Sequence, residues 1–123
     1  MAINVYFVRH GQTYLNLYNR IQGWADGPLT PKGEEDAKRV GRALAPIQFD
    51  YVFCSDLART DSTTRFLLAE HPGNNPKPIP EPAFREEFFG YFEGEDSQHF
   101  ADFLGGPEGY HSFAEMVAGW GPD

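Results

Sequence analysis

The chain has 123 residues, 41% of them hydrophobic and 15% aromatic, with 10 basic residues against 18 acidic ones and a net charge of −8. That composition fits a single globular domain, residues 1–123, with a modest core, and excludes both a disordered chain and nonspecific nucleic-acid binding, which needs a basic surface. The charge is uneven: all ten basic residues lie before Glu86, and the last 38 residues carry nine acids and no base.

Ile3 to Val8 is a short β-branched and aromatic run that breaks off at Arg9-His10-Gly11. It predicts a buried strand followed by a loop. The start of the chain lacks the basic region and long apolar stretch of a signal peptide, and the apolar run Val5 to Val8 is far too short to span a bilayer. With one cysteine, Cys54, no internal disulfide can form. The expectation is a cytoplasmic protein with no membrane and no nucleic-acid partner.

A helix is predicted from Thr30, an N-cap hydroxyl followed by Pro31 at the first helical position, with Ala37, Val40 and Leu44 on the inner face. Glu34/Lys38 and Glu35/Arg39 are expected to pair across one turn, and Pro46 ends the element. Tyr51 to Ser55 is a second predicted strand, with Cys54 in the core, and Asp56 is placed to cap a helix running to about Glu70. Strand, helix, strand, helix predicts an α/β fold with a parallel sheet. His71 to Pro82 holds five of the ten prolines and is expected to be a loop within the domain. Beyond it come a Phe- and Gly-rich run and two short predicted helices, near Ser97 to Phe103 and Ser112 to Ala118.

Three stretches carry residue types suited to chemistry. Arg9-His10-Gly11-Gln12-Thr13 lies at the C-terminal end of the first predicted strand, where open parallel sheets place ligands. An imidazole there can be a nucleophile, a guanidinium can hold phosphate by two parallel hydrogen bonds, and Gly11 lets backbone approach a ligand closely. Ser55-Asp56-Leu57-Ala58-Arg59-Thr60 enters the second long helix. A cation in a first turn opposes the helix dipole, so Arg59 calls for a bound anion or a salt bridge to Asp56 or Asp61. Arg85-Glu86-Glu87-Phe88-Phe89-Gly90 sets carboxylates among aromatic residues, surroundings that suit a general acid. Trp24 either walls the same pocket or packs beneath its loop.

Taken together these stretches resemble the histidine phosphatase superfamily, also called the phosphoglycerate mutase-like family. The likeness runs in order through Arg9-His10-Gly11-Gln12-Thr13, Asn16, Arg20-Ile21-Gln22-Gly23-Trp24, Pro28-Leu29-Thr30 with Gly33, Ser55-Asp56-Leu57 with Arg59, and Glu86 with Gly90, covering Ile3 to Gly94. It implies a three-layer α/β sandwich with a mainly parallel sheet, lacking the family's C-terminal strands. By the resemblance, His10 is the nucleophile that becomes phosphohistidine and Arg9 and Arg59 hold the phosphoryl group. Gly11, Asn16, Gln22 and Gly23 line the substrate pocket, and Glu86 is the proton donor and then the base. No metal is implied.

The family also has a second pocket histidine in a His-Gly motif after a later strand, and none of His71, His99 or His111 fits that pattern; all three are expected at the surface. The chain is therefore expected to be the N-terminal part of a longer protein, or to cover its strand edges by pairing with a second copy. The expected activity is hydrolysis of a small phosphorylated metabolite by a phosphomonoester phosphatase, because Phe89-Gly90-Tyr91-Phe92-Glu93-Gly94 resembles the pattern of the phosphatase branches. A phosphoglycerate mutase, with 2,3-bisphosphoglycerate as cofactor, is the nearest alternative, and a non-catalytic phosphate-binding module is a third.

Overall fold

A computed structural model of the protein describes residues 1–105 together with Glu115 and Ala118. In chain order the elements are α1 (Tyr14–Leu17), α2 (Pro31–Ala43), β1 (Phe53–Cys54), α3 (Ala58–Glu70), β2 (Ile79–Pro80) and α4 (Ser97–Gly105), with 3₁₀ turns at Pro82–Phe84 and Gly90–Phe92. The predicted helix at Ser112 to Ala118 and His111 lie outside the described residues, Glu115 and Ala118 excepted.

The start of α2 follows its sequence signal: the Thr30 hydroxyl accepts from the Gly33 N–H at 3.1 Å and Pro31 fills the first position. Its surface charges pair differently from expectation. Asp36 takes Lys32 and Arg39, and Glu35 pairs with Arg42 at 2.8 Å. Helices α2 and α3 pack at close range because Gly41 has no side chain; a Cβ there would sit 2.1 Å from the Leu67 carbonyl oxygen. Gly41→Ala gains up to about 1 kcal/mol of helix propensity. The overlap is with backbone, which cannot swing aside, so a net loss of about 1–3 kcal/mol is expected as a lower urea midpoint. An unchanged or raised midpoint would contradict this packing.

The sheet is two parallel strands, with Phe53 opposite Ile79 and Cys54 opposite Pro80. Part of the proline-rich stretch, expected to be loop, is therefore strand. The Ile79 N–H donates to Val52 and the Glu81 N–H to Cys54, at 2.9 and 2.7 Å, so the N–H that Pro80 lacks is not needed by the ladder. Cys54 is half-buried in β1, short of full burial in the core, and burial pushes its thiol pKa up.

The run Ile3 to Val8 forms no strand. It makes no backbone hydrogen bond to a described residue, and Ile3 and Phe7 are 85% and 95% exposed. An extended run becomes a strand only through neighbours that pair with it, and here it faces β1 across an open groove of about 1040 Å³ lined by Val5, Phe7, Phe53, Thr63 and Leu67. A second small core lies under the C-terminal stretch, where Ile21 and Phe100 are buried with Phe89 and Phe92 packed against them. His71, expected at the surface, is 4% exposed; its ring nitrogens meet the Leu44 and Ile47 carbonyls and Asn75 Oδ1. His99 is exposed, as expected. Among the described residues no helix is long and apolar enough to cross a membrane.

Candidate functional site

The His10 loop is fixed from its C-terminal side. The Gly11 N–H donates to Thr63 Oγ1 at 2.9 Å, and that hydroxyl donates to the Arg59 carbonyl at 2.7 Å, which ties the loop to the first two turns of α3. On its other flank the loop presses on α2. A Cβ at Gly11 would meet the Gly33 carbonyl oxygen at 2.5 Å, and one at Gly33 would meet the Gln12 oxygen at 2.2 Å. Gly11 is thus required by backbone-on-backbone packing, a reason different from the expected close approach to a ligand.

The His10 ring places Nδ1 2.8 Å from the Gly11 carbonyl oxygen. A carbonyl only accepts, so Nδ1 carries the hydrogen and Nε2 keeps its lone pair free. Burial of the ring lowers its pKa from the ordinary imidazole value, and the fields of Arg59 and Arg9 lower it further. The Gly11 hydrogen bond and the field of Glu86 act in the opposite direction. Arg9 itself is exposed and forms no ion pair with a described residue.

Arg59 is 2% exposed. Its guanidinium donates to the Gly23 and Ala25 carbonyls at 2.7 and 2.9 Å and lies 3.5 Å from the Asp26 carboxylate. Neither Asp56 nor Asp61 is its partner. Asp56 does not cap α3 either, because it is taken up by both sides of the Arg85 fork, which holds its carboxyl below the usual carboxylate range. The cap comes from Asp26, whose oxygens accept the N–H groups of Ala58 and Arg59. One carboxylate therefore neutralises both the helix N-terminus and the cation placed there. The Arg59 Nε–H is left buried with no hydrogen-bond partner among the described residues, a state that ordinarily costs about 1–3 kcal/mol unless a ligand oxygen supplies the acceptor.

The other expected pocket residues lie along the same loop. Thr13, fully buried, caps α1 through a reciprocal pair with Asn16, whose Oδ1 accepts the Thr13 N–H at 3.0 Å. The Thr13 hydroxyl also reaches Gln22 Oε1 at 2.7 Å, so the Gln22 amide NH₂ has no protein acceptor among the described residues. Glu86, expected among aromatic residues, is exposed, and its carbonyl accepts the Trp24 indole N–H at 2.9 Å. Trp24 packs against Phe88 with ring centroids 5.0 Å apart and planes tilted by 47°, and lies under the Arg85 guanidinium at 4.8 Å, bridging the 23–26 loop to the 86–93 segment.

Asp26 escapes sequence reasoning, and so do the contacts of Glu93, which the sequence places only within the Phe89 to Gly94 pattern. The Glu93 carboxylate accepts the N–H groups of Trp24, Ala25 and Phe89 at 2.8, 3.0 and 3.3 Å. Asp26 reaches Arg59 across 33 residues and Glu93 reaches Trp24 across 69; a further hint is Gly23, at a positive φ of 56°, where a Cβ would stand 2.5 Å from Glu93 Oε1. The arrangement offers a free imidazole lone pair, two guanidinium groups whose fields reach it, one of them buried with an unused donor, and a carboxylate beyond.

Residues 5–112 match the family model of the histidine phosphatase superfamily, branch 1. The chain is 37% identical over 94 residues to a 2,3-bisphosphoglycerate-dependent phosphoglycerate mutase 2 of Gloeobacter violaceus, covering 76% of this chain and 42% of that protein. Among solved structures, the phosphoglycerate mutase of Bacillus anthracis superposes with a TM-score of 0.79 at 37% identity, over 89% of this chain and 48% of the other. A mycobacterial glucosyl-3-phosphoglycerate phosphatase solved with VO3 superposes with a TM-score of 0.67 at 26% identity, over 80% of this chain and 44% of the other. The fold class is that of these α/β neighbours. The chain spans less than half the length of the curated relatives it matches.

Proposed function

From the premise that the chain belongs to the histidine phosphatase superfamily, we propose that its site hydrolyses phosphomonoesters of small metabolites through a phosphohistidine on His10. The observation that carries this reading is the buried Arg59 guanidinium, with an unused Nε–H, beside an imidazole whose Nε2 is free. Phosphoryl transfer asks a protein mainly for in-line positioning and charge neutralisation. His10 Nε2 attacks phosphorus, the bond to the leaving oxygen breaks, and Glu86 gives that oxygen a proton. Water then attacks the phosphohistidine, Glu86 takes the water's proton, and the P–N bond breaks to release phosphate. Arg9 and Arg59 hold the phosphoryl oxygens, and the Gln22 amide donates to the substrate.

The test is release of inorganic phosphate from an aryl phosphate and a panel of sugar and glycerate phosphates. Only neutral His10 attacks, and its pKa is lowered, so the acidic limb of kcat/KM is expected below pH 6.5, the ordinary imidazole value. The His10 ring titrated by NMR should give the same midpoint, and a midpoint at or above 6.5 would contradict the site geometry. The 37% identity to phosphoglycerate mutases supports a second reading, return of the phosphoryl group to another hydroxyl of phosphoglycerate with 2,3-bisphosphoglycerate as the priming cofactor. Product analysis separates the two, because a mutase yields an isomerised phosphoglycerate with little free phosphate. Binding of phosphate without turnover would instead mark a non-catalytic module.

A further inference from the structure

We propose that Glu93 is a positioning residue that locks the Arg59 grip to the segment carrying Glu86, an inference that rests on the phosphoryl-transfer reading above. Glu93 lies outside the residues expected to touch substrate, and its carboxylate is spent entirely on backbone. One oxygen accepts the N–H groups of Trp24 and Phe89, the other that of Ala25. The first and third of these flank a single functional unit, because the Gly23 and Ala25 carbonyls are the two acceptors that orient Arg59. The Phe89 N–H belongs to the segment three residues beyond Glu86. One anion therefore fixes the distance between the phosphate-holding cation and the proton donor.

Neighbouring contacts point the same way. Gly23 sits in the left-handed region so that Glu93 Oε1 can approach within 2.5 Å of where a Cβ would stand, with Phe89 and the Glu87 carbonyl at 2.8 and 2.9 Å. The Trp24 indole closes a second link, to the Glu86 carbonyl. Only glycine fits at position 23, and three amides are gathered on one carboxylate, a degree of specification beyond what packing alone requires. It is accounted for if the spacing it holds is the one phosphoryl transfer needs.

The experiment compares inorganic phosphate binding by the full chain, its Glu93→Gln variant and Phe92→Leu as a packing control. Binding is followed by NMR at the Arg59 Nε–H. Wild type is expected to bind with a shift of that signal. Glu93→Gln, nearly isosteric but uncharged and presenting a donor to the Ala25 N–H, is expected to bind roughly tenfold more weakly, the scale of one charge-assisted hydrogen bond. Phe92→Leu, which loosens the same segment's core, is expected to lower Tm while leaving phosphate affinity unchanged. If Glu93→Gln loses the native spectrum, Glu93→Asp, which draws the charge back by one methylene, is read the same way. Equal phosphate affinity in wild type and a folded Glu93 variant overturns the inference and leaves the proposed function standing. Absence of phosphate binding in wild type overturns the function itself, and the two failures are thereby distinct. Parallel weakening in Phe92→Leu also overturns it, since any destabilisation would then suffice.

Discussion

Replacing His10 by alanine is expected to remove phosphoenzyme formation entirely and to lower turnover of any hydrolysed phosphate ester by roughly 10⁴ to 10⁶, the range seen when a covalent nucleophile or its essential partner is deleted. The size follows from the division of labour in the site. Arg9, Arg59 and the Gln22 amide bind, but only His10 Nε2 offers a lone pair, its other nitrogen being committed to the Gly11 carbonyl. Phosphate affinity should change little, because the cations remain, and is followed on the inert variant by the Arg59 Nε–H signal. Acid-labile phosphate retained on wild type and absent from His10→Ala would be the direct measurement. Equal turnover by both proteins would eliminate the phosphohistidine route.

Arg59→Ala is expected to act on two quantities at once. Inorganic phosphate affinity should fall roughly 10- to 100-fold, the worth of a hydrogen bond to a charged group. Stability should fall as well, by about 1–3 kcal/mol, as the Gly23 and Ala25 carbonyls lose their buried donor. Asp26, 24% exposed, loses its cation as well but keeps the Ala58 and Arg59 N–H groups, so its carboxylate is not left without partners. The His10 pKa should rise, because Arg59 is one of the charges that lowers it. Arg59→Lys separates the effects: it keeps the charge near His10 but loses the fork that spans two carbonyls. Loss of stability without loss of phosphate affinity in Arg59→Ala would make Arg59 a strut of the fold and nothing more.

The legible parts of this molecule are those whose causes are local. Thr30 and Pro31 announce α2 within four residues, and the Arg9-His10-Gly11 break after an apolar run marks the site at once. What the sequence hides is the choice of partner. Asp56, adjacent to α3, was the natural cap, yet Arg85 captures it and Asp26 caps the helix from across the fold. A surface position for His71 is reasonable beside a proline, but the end of α2 brings two carbonyls onto its ring. Pro80 argues against a strand until the register shows that its nitrogen is not asked to donate. In each case side-chain chemistry was readable and its long-range geometry was not.

The unpaired run before Arg9 has a consequence for how local opening of the protein would reach the nucleophile. With no ladder to a described residue on either side, the amides of Ile3 to Val8 are expected at the least protected end of a hydrogen-exchange profile. The Gly11 amide, closed onto Thr63, belongs with α3 instead. His10 thus stands at the border of two cooperative units, and the free energy that keeps its ring in place is that of opening the α2–α3 pair rather than that of fraying the chain's first eight residues.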